Sequence, residues 1–221
     1  MEDLFKRLNI KVKDINLYNS AFSHSSYANE HKKKIDYERL EFLGDAVIDL
    51  VISEYLYQKS DLEEGQMTKL RASYVCEDAL YHYSTDLELN KYLKVGHGEE
   101  KSGGKHKKAI VADIFEALMG AIYLDLGFDT VRRIILEIVV PYIEDEEVIF
   151  FNDYKSSLGE AVQTDNKSLQ YEVIKESGPD HDKSFVVAVI VDGITLGKGE
   201  AKSKKEAEQQ AAKDALEKLA L

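Results

Sequence analysis

The segment from Glu38 to Val47 limits the structures open to this chain more than any other. It reads Glu-Arg-Leu-Glu-Phe-Leu-Gly-Asp-Ala-Val and carries carboxylates at Glu38, Glu41 and Asp45. On a helix, where each residue advances about 100°, these three side chains fall within roughly 60° of arc on one face. Apolar residues on the opposite face predict a buried stripe: Leu40, Leu43, Ala46, Val47, Leu50 and Val51. A helix anchored by that stripe would hold the carboxylates rigidly, as a hard divalent cation requires.

A second acidic pair lies further along the chain. Asp113 and Glu116 are three residues apart on another predicted helix, and Glu64 lies just before a third. Without a cation, such a cluster would suffer like-charge repulsion. Carboxylate oxygens suit Mg²⁺ or Mn²⁺, whereas one cysteine and six scattered histidines offer no zinc site. We therefore predict a Mg²⁺ site, with Mn²⁺ as a substitute, of the kind that hydrolyses phosphoesters with two cations about 3.5–4 Å apart.

The same spacing also fits a plainer alternative. Carboxylates at such intervals usually form a solvated helix face with basic partners four residues on. The positions four residues after Glu41 and Asp45 hold Asp45 and Asp49 instead, which favours the metal site. Asp49 itself is interpreted as solvated.

Gly44 and Phe42 each add a prediction. A glycine inside a helix costs about 1 kcal/mol relative to alanine, so Gly44 predicts the close approach of another helix. Phe42 lies between the acidic and apolar faces, where a partly exposed ring indicates an interface. Packing of Phe42 into the core of its own chain is the alternative.

Composition narrows the class of protein. The length of 221 residues suits one large domain or two modest ones. The single Cys76 excludes an internal disulfide framework, and we see neither a signal peptide nor an apolar run of membrane-spanning length. We therefore expect a cytoplasmic protein with no membrane partner. The net charge is −12, of which −9 falls in residues 1–151 and −3 in residues 152–221, so binding of nucleic acid would depend on local lysine patches.

Hydrophobic periodicity divides the chain into two regions. The first is helical, with periodic apolar residues in 36–58, 67–83, 107–124 and 130–142. The second is mixed, with a helix over 154–164, strands over 169–176, 184–191 and from Ile194 to about Gly199, and a last helix opened by a capping box of Ser203 and Glu206. We predict a multi-domain protein: an all-α domain over 1–146, a linker over 147–152 and an α-β-β-β-α domain of α+β class over 153–221.

The segment Val95–Lys108 is rich in glycine and lysine. It comes close to a phosphate-binding P-loop, but Gly104 follows Gly103 where that motif needs lysine, so we expect no nucleotide cofactor. Two interpretations stay open: a solvated loop, or a loop that contacts phosphates beside the helix of Asp113.

The acidic motifs resemble those of the ribonuclease III family, whose members cleave double-stranded RNA. The resemblance rests on 38–47, on Gly65-Gln-Met-Thr-Lys-Leu-Arg-Ala and on Gly120-Ala-Ile-Tyr-Leu-Asp-Leu-Gly-Phe. It implies an all-α endonuclease domain that hydrolyses duplex RNA with divalent metals, leaving 5′-phosphate and 3′-hydroxyl ends, and a role in rRNA and mRNA processing. It also implies a homodimer in which Phe42 packs into the partner subunit. The metal ligands would be Glu41, Asp45, Asp113 and Glu116, of which Asp45 and Glu116 would be catalytic, with Glu38 and Glu64 in support.

The second region resembles the double-stranded RNA-binding domain in its element order and in the segments Gly178-Pro-Asp-His181 and Ser203-Lys-Lys-Glu-Ala-Glu. Such domains read the A-form shape through 2′-hydroxyls and phosphates. The resemblance places six residues at the RNA: Ser156, Glu160, Gln163, His181, Lys204 and Lys205. Lys204 and Lys205 stand at a helix N-terminus, where free N–H groups favour an anion. Family members often have glutamine where this chain has Gly159, so we expect modest affinity.

Two other functions stay open at this level. One is a duplex-RNA binder that does not cleave, which the complete set of carboxylates argues against. The other is a hydrolase of small phosphoesters whose second domain binds protein. Lys204→Glu combined with Lys205→Glu would leave the activity of such a hydrolase untouched.

Overall fold

The computed structural model describes residues 1–32, 35–145, 150, 154–164, 167–179 and 183–219. The chain divides into two compact units, Met1–Phe151 and Asn152–Leu221. The predicted linker over 147–152 lies outside the described residues except for Phe150, and His181 lies outside them too.

The described part of the first unit is built from α-helices joined by short connections. These helices are α1 (Glu2–Arg7), α2 (Ile15–Ala21), α3 (Ser25–Glu30), α4 (Glu38–Lys59), α5 (Glu64–Val75), α6 (Glu77–Asp86), α7 (His97–Lys101), α8 (Lys108–Leu126) and α9 (Phe128–Glu144). Two 3₁₀ turns, Leu89–Lys91 and Gly104–His106, lie before and after α7. Within the described residues, none of the helices is both long enough and apolar enough to cross a membrane.

Helix α8 is the centre of the first unit. Every residue from Ile110 to Ile122 is buried except Asp113 and Glu116, which are half-buried. A helix that is apolar on all sides belongs in a core rather than at a surface. Asp113 and Glu116 are therefore unusual, because they place two carboxylates on a helix that is otherwise buried and apolar.

The periodic segment 67–83 is two helices rather than one. Cys76 has an extended backbone conformation (φ −72°, ψ 162°) and ends α5 just before α6 begins. Apolar periodicity did not reveal the break because both helices bury side chains in the same core. Pro141 lies inside α9, which continues to Glu144.

The buried stripe of α4 differs from the predicted one. Its buried members are Leu40, Gly44, Val47, Ile48, Val51, Ile52 and Leu56. Ala46 and Leu50, predicted to be buried, are exposed. The true stripe is rotated around the helix, so the carboxylates border it instead of lying opposite it. This rotation explains why Glu41 is half-buried.

Phe150, within the predicted linker, packs onto the first unit. Its ring lies 5.3–6.0 Å from the ring centroids of Tyr74, His82, Tyr83 and Tyr142. Phe150 therefore packs against the core of the first unit.

The second unit has the order α-β-β-β-α. Its elements are α10 (Tyr154–Thr164), β1 (Leu169–Ser177), β2 (Ser184–Val191), β3 (Ile194–Ala201) and α11 (Lys204–Lys218). The strands form an antiparallel sheet in the order β1-β2-β3, with irregularities in register at Val173/Lys175 and Val189/Ile190.

Both helices of the second unit pack on one face of the sheet. The buried residues there are Leu158, Val162, Phe185, Val187, Val189, Val191, Ala207, Ala211, Ala212 and Ala215. Gly197 and Gly199 let α11 approach β3, because a Cβ on either would lie 2.3 Å from a carbonyl oxygen of that helix. Leu219, which directly follows α11, is exposed.

Candidate metal centre

Three carboxylates from two helices meet in the first unit. One oxygen each of Glu41 on α4 and of Asp113 and Glu116 on α8 lie within 4.8 Å of one another, and all three side chains are half-buried. They are the only group of its kind among the residues that the structure describes. The two helices therefore supply a compact set of oxygen donors.

Two glycines bring these helices together. A Cβ on Gly44 of α4 would lie 1.8 Å from the backbone oxygen of Glu116, and one on Gly120 of α8 would lie 2.3 Å from the backbone oxygen of Leu40. Neither approach is sterically possible for a larger residue. The predicted close approach of a helix at Gly44 is confirmed, and the helix is α8 of the same chain.

Burial and mutual repulsion disfavour the charged form of every carboxylate here. Desolvation, followed by repulsion from Asp45 and Glu41, raises the pKa of Glu116 to about 8. Desolvation, followed by repulsion from Asp113 and Glu38, raises the pKa of Glu41 to about 7. Burial also raises the pKa of Asp113. Raised pKa values in adjacent carboxylates indicate a site whose charged form a cation would stabilise.

Asp45 and Glu38 flank this cluster on α4. Both are exposed and neither belongs to the group within 4.8 Å. Their charges nevertheless reach it, because Asp45 raises the pKa of Glu116 and Glu38 raises that of Glu41. The pKa of Asp45 is itself raised, by desolvation and then by Asp49.

Glu64 and Asp49 do not belong to this cluster. Glu64 is the first residue of α5, is exposed and accepts a hydrogen bond from the hydroxyl of Thr68 at 3.2 Å. Asp49, which we expected to be solvated, is solvated only in part, with a side chain that is 38% exposed. Its Oδ1 is buried without a hydrogen-bond partner among the described residues, and Nε of Arg71 lies 3.8 Å away.

Tyr37 is a contact that the sequence analysis missed. It is 3% exposed, immediately precedes α4, and its hydroxyl donates a hydrogen bond to Oδ2 of Asp113 at 2.8 Å. Desolvation, followed by the nearby charge of Asp113, raises the pKa of the phenol. The one available signal was an aromatic residue with a polar tip directly before an acidic helix.

The donor set fits a hard divalent cation. It consists of carboxylate oxygens, which Mg²⁺ and Mn²⁺ prefer to the nitrogen and sulfur ligands of zinc sites. The clustered charge would be offset by such an ion. The residues placed to hold it are Glu41, Asp113 and Glu116, with Asp45 beside them.

The glycine-rich segment before α8 is folded. It contains α7 and the turn Gly104–His106. Nζ of Lys105 lies 2.7 Å from Glu100, and Nζ of Lys107 lies 2.7 Å from Glu99. Phosphate contact by these lysines remains a prediction.

Five of the six residues predicted to bind RNA lie on the two helices of the second unit, and His181 lies outside the described residues. On α10, Ser156 is half-buried while Glu160 and Gln163 are exposed. Lys204 and Lys205 are the first two residues of α11 and are exposed, and Ser203 caps that helix by accepting a hydrogen bond from the Glu206 N–H at 3.2 Å. The helix N-terminus and its two ammonium groups thus occupy one surface.

An exposed apolar stripe runs along α4 on the side away from its buried stripe. Its exposed members are Phe42 (81%), Ala46, Leu50 (57%) and Tyr57 (78%). Phe42 also lines a pocket of about 850 Å³ with Leu17, Ile35 and Leu124, among other residues. Of the two interpretations of Phe42, the structure excludes packing into the core of its own chain.

Known proteins resemble both units. A sequence profile described as Ribonuclease-III-like matches residues 14–143, and one described as Double-stranded RNA binding motif matches residues 154–219. A protein named Ribonuclease 3 from Streptococcus gordonii is 47% identical over 219 residues, which cover 97% of this chain and 94% of that protein. Ribonuclease 3 from Bacillus cereus is 47% identical over 97% of this chain and 89% of its own length.

A solved structure agrees with these matches. The nuclease domain of ribonuclease III from Campylobacter jejuni, which is described as having structural flexibility in a region involved in dimer formation, is 40% identical. It covers 63% of this chain and 96% of that chain, with a TM-score of 0.59. Together with the carboxylates that converge from α4 and α8, these similarities show that the chain belongs to the ribonuclease III family.

Proposed function

We propose that this protein is an endoribonuclease that hydrolyses phosphodiester bonds of double-stranded RNA with divalent cations, leaving 5′-phosphate and 3′-hydroxyl ends. The observation that carries the proposal is the meeting of Glu41, Asp113 and Glu116 in a chain that also contains a double-stranded RNA-binding motif. Mg²⁺ is the cation we propose, with Mn²⁺ as a substitute.

The carboxylates would hold the cation at the crossing of α4 and α8. Glu41, Asp113 and Glu116 supply converging oxygens, and we propose Asp45 and Glu116 as the residues nearest the reacting phosphate. When bound, divalent cations activate water and stabilise the leaving oxygen of an in-line displacement. The buried neighbours of Asp113 and Glu116 on α8 keep these side chains in place and limit their hydration. We propose supporting roles for Glu38, whose charge reaches Glu41, and for Glu64.

The second unit would bring duplex RNA to this site. The ammonium groups of Lys204 and Lys205 and the free N–H groups of the α11 N-terminus are suited to phosphates. Ser156, Glu160 and Gln163 are proposed to reach the minor groove from α10, and His181 from the connection between β1 and β2. Non-specific shape recognition of this kind suits precursors of rRNA and mRNA with duplex segments. We accordingly place the protein in RNA processing in the cytoplasm.

We further propose a homodimer that forms through the exposed stripe of α4. Phe42, Leu50 and Tyr57 present large apolar surfaces along one line of the helix. A two-fold axis beside this helix would pair the stripe with itself, as isologous interfaces require. Phe42 of one protomer would then enter the pocket beside Phe42 of the other.

The test uses the purified full chain and a long duplex RNA at low salt. With Mg²⁺, the wild type should cut the duplex, and Glu116→Gln should lose activity by at least about 100-fold, since it removes a charge that faces the reacting centre. With Ca²⁺ in place of Mg²⁺, gel shifts should show equal binding of duplex RNA by both proteins. Intact duplex with the wild type, or equal cleavage by the variant, would refute the proposal.

A further inference from the structure

Tyr37 links the two helices that carry the carboxylates. Its backbone oxygen accepts hydrogen bonds from the N–H groups of Leu40 (2.8 Å) and Glu41 (2.9 Å) in the first turn of α4. Its hydroxyl crosses to α8 and donates to Asp113 at 2.8 Å. Tyr37 thus contacts the backbone of Glu41, one proposed ligand, and the carboxylate of Asp113, another.

Tyr37 is buried, and both its backbone and its ring contact neighbouring residues. It is 3% exposed, and its backbone N–H donates to the carbonyl of Ser23 at 3.0 Å. The imidazole of His24 packs against it with ring centroids 5.7 Å apart. His24 is fixed in turn, because its Nδ1 lies 2.7 Å from the hydroxyl of Ser26, which also accepts from the Gly96 N–H at 2.8 Å.

We infer that Tyr37 is a positioning residue for the metal centre, which fixes the carboxylate of Asp113 in the orientation that meets Glu41 and Glu116. The inference rests on the proposed function, since it assigns a role toward the cation proposed there. A carboxylate that accepts one hydrogen bond keeps lone pairs for a cation. Removing the hydrogen-bond partner of a metal ligand typically lowers metal affinity by about 10–100-fold.

A purely structural role is the alternative, because a buried phenol needs a hydrogen-bond acceptor in any case. The chain offers a matched control. Tyr18 is also fully buried, and its hydroxyl donates at 3.0 Å to Asp125, which lies on the same helix α8. Asp125 is outside the carboxylate cluster. Tyr18→Phe therefore removes the same kind of bond from the same helix without touching the proposed ligands.

The experiment measures the affinity for Mn²⁺ of the full chain by isothermal titration calorimetry. Tyr37→Phe should raise the dissociation constant by about 10-fold, whereas Tyr18→Phe should leave it within twofold of the wild type. Both variants keep the ring, and near-ultraviolet circular dichroism checks that each one is folded. In an Asp113→Asn background, Tyr37→Phe should have no further effect on Mn²⁺ affinity.

Three outcomes would overturn the inference: an unchanged dissociation constant in Tyr37→Phe, an equal loss in Tyr18→Phe, or an additive loss in the double variant. A wild type that binds no Mn²⁺ would instead refute the proposed function. If Tyr37→Phe does not fold, thermal unfolding of Tyr37→His with increasing Mn²⁺ gives the second measurement. Tyr37→His keeps a ring N–H that can donate a hydrogen bond, whereas Tyr37→Leu does not. Mn²⁺ should therefore raise the melting temperature of Tyr37→His more than that of Tyr37→Leu, and equal rises would refute the inference.

Discussion

Gly44 of α4 lies directly against the backbone carbonyl of Glu116 on α8, so close that a Cβ at Gly44 would sit 1.8 Å from that oxygen. The proposed ligands Glu41 and Asp45 flank Gly44 in sequence, three residues before it and one residue after it. Because Gly44 has no side chain, α4 can approach α8 closely, and this approach sets the distance between the carboxylates of the two helices. Gly120 completes the crossing from the other helix.

Gly44→Ala should destabilise the protein and weaken the metal centre together. The added methyl group forces α4 and α8 apart, and overpacking of this severity costs about 3 kcal/mol. We expect a lower free energy of unfolding in urea and loss of Mg²⁺-dependent cleavage. Gly65→Ala is the control, since a Cβ there meets nothing within 4 Å and Gly65 is helical. Equal stability of the two variants would contradict the role assigned to the crossing.

The raised pKa of Glu116 predicts how stability depends on pH without metal. This pKa is about 8 in the folded protein, whereas the ordinary pKa of a glutamate is 4.5. The folded state therefore binds more protons between these pH values, and stability falls as the pH rises through about 8. Glu116→Gln cannot ionise. In EDTA its melting temperature should exceed that of the wild type by a few degrees at pH 8.5 and match it near pH 4.5.

Two measurements check this prediction. Thermal unfolding of both proteins is followed in EDTA from pH 4.5 to 8.5, and the difference in melting temperature should grow with pH. A difference that is the same at both ends would show that the carboxyl of Glu116 titrates normally. Addition of Mg²⁺ at pH 8.5 should stabilise the wild type more than the variant.

The fold could be predicted to a large extent because both regions have strong periodicity. The bounds of α10 and β2 agree with the predicted residues, and those of α4 and α8 differ by one or two residues at each end. The break at Cys76 was not visible, since it depends on one backbone conformation and not on the apolar pattern. The rotation of the buried stripe of α4 escaped prediction because it follows from the approach of α8 at Gly44, a contact between residues distant in sequence.

Part of the candidate site could likewise be predicted from the sequence, and part could not. Spacing and resemblance pointed to the carboxylates on α4 and α8, whose residue types carry the chemistry. Tyr37 was missed because its contact with Asp113 spans 76 positions and exists only once α4 and α8 have packed. Burial of Oδ1 of Asp49, which lies 3.8 Å from Nε of Arg71, was not predicted because Arg71 is 22 positions away in sequence.

Phe42→Asp should shift the protein from dimer to monomer. The phenyl ring is 81% exposed beside an apolar pocket, so a charged group there would have to be buried in the proposed interface. Size-exclusion chromatography with light scattering should report half the mass of the wild type, and unfolding of the monomer should begin at lower urea. Asp129→Asn, on the exposed start of α9, is the control. A dimer that persists in Phe42→Asp would place the interface elsewhere.

Lys205→Ala should weaken binding of duplex RNA in a way that depends on salt. Each phosphate contact contributes about 0.9 to the slope of log K against log salt for a duplex. Loss of one contact at the α11 N-terminus should lower that slope by about 1, as measured by fluorescence anisotropy in Ca²⁺ over a range of salt. Lys218→Ala, at the far end of the same helix and paired with Asp214 at 2.6 Å, should leave the slope unchanged. Identical slopes for all three proteins would remove Lys205 from the RNA surface.

Gly159→Ala should stabilise the second unit. Gly159 lies in the middle of α10, and a Cβ there would meet only Leu169, at the ordinary contact distance of 4.0 Å. Replacing glycine by alanine inside a helix contributes about 0.5–1 kcal/mol when no clash results. Hydrogen exchange of the α10 amides, measured at increasing urea concentrations, should show this gain. The amides of α8 in the first unit serve as the internal reference. A loss of protection in α10 would mean that Gly159 is held in a conformation that alanine cannot adopt.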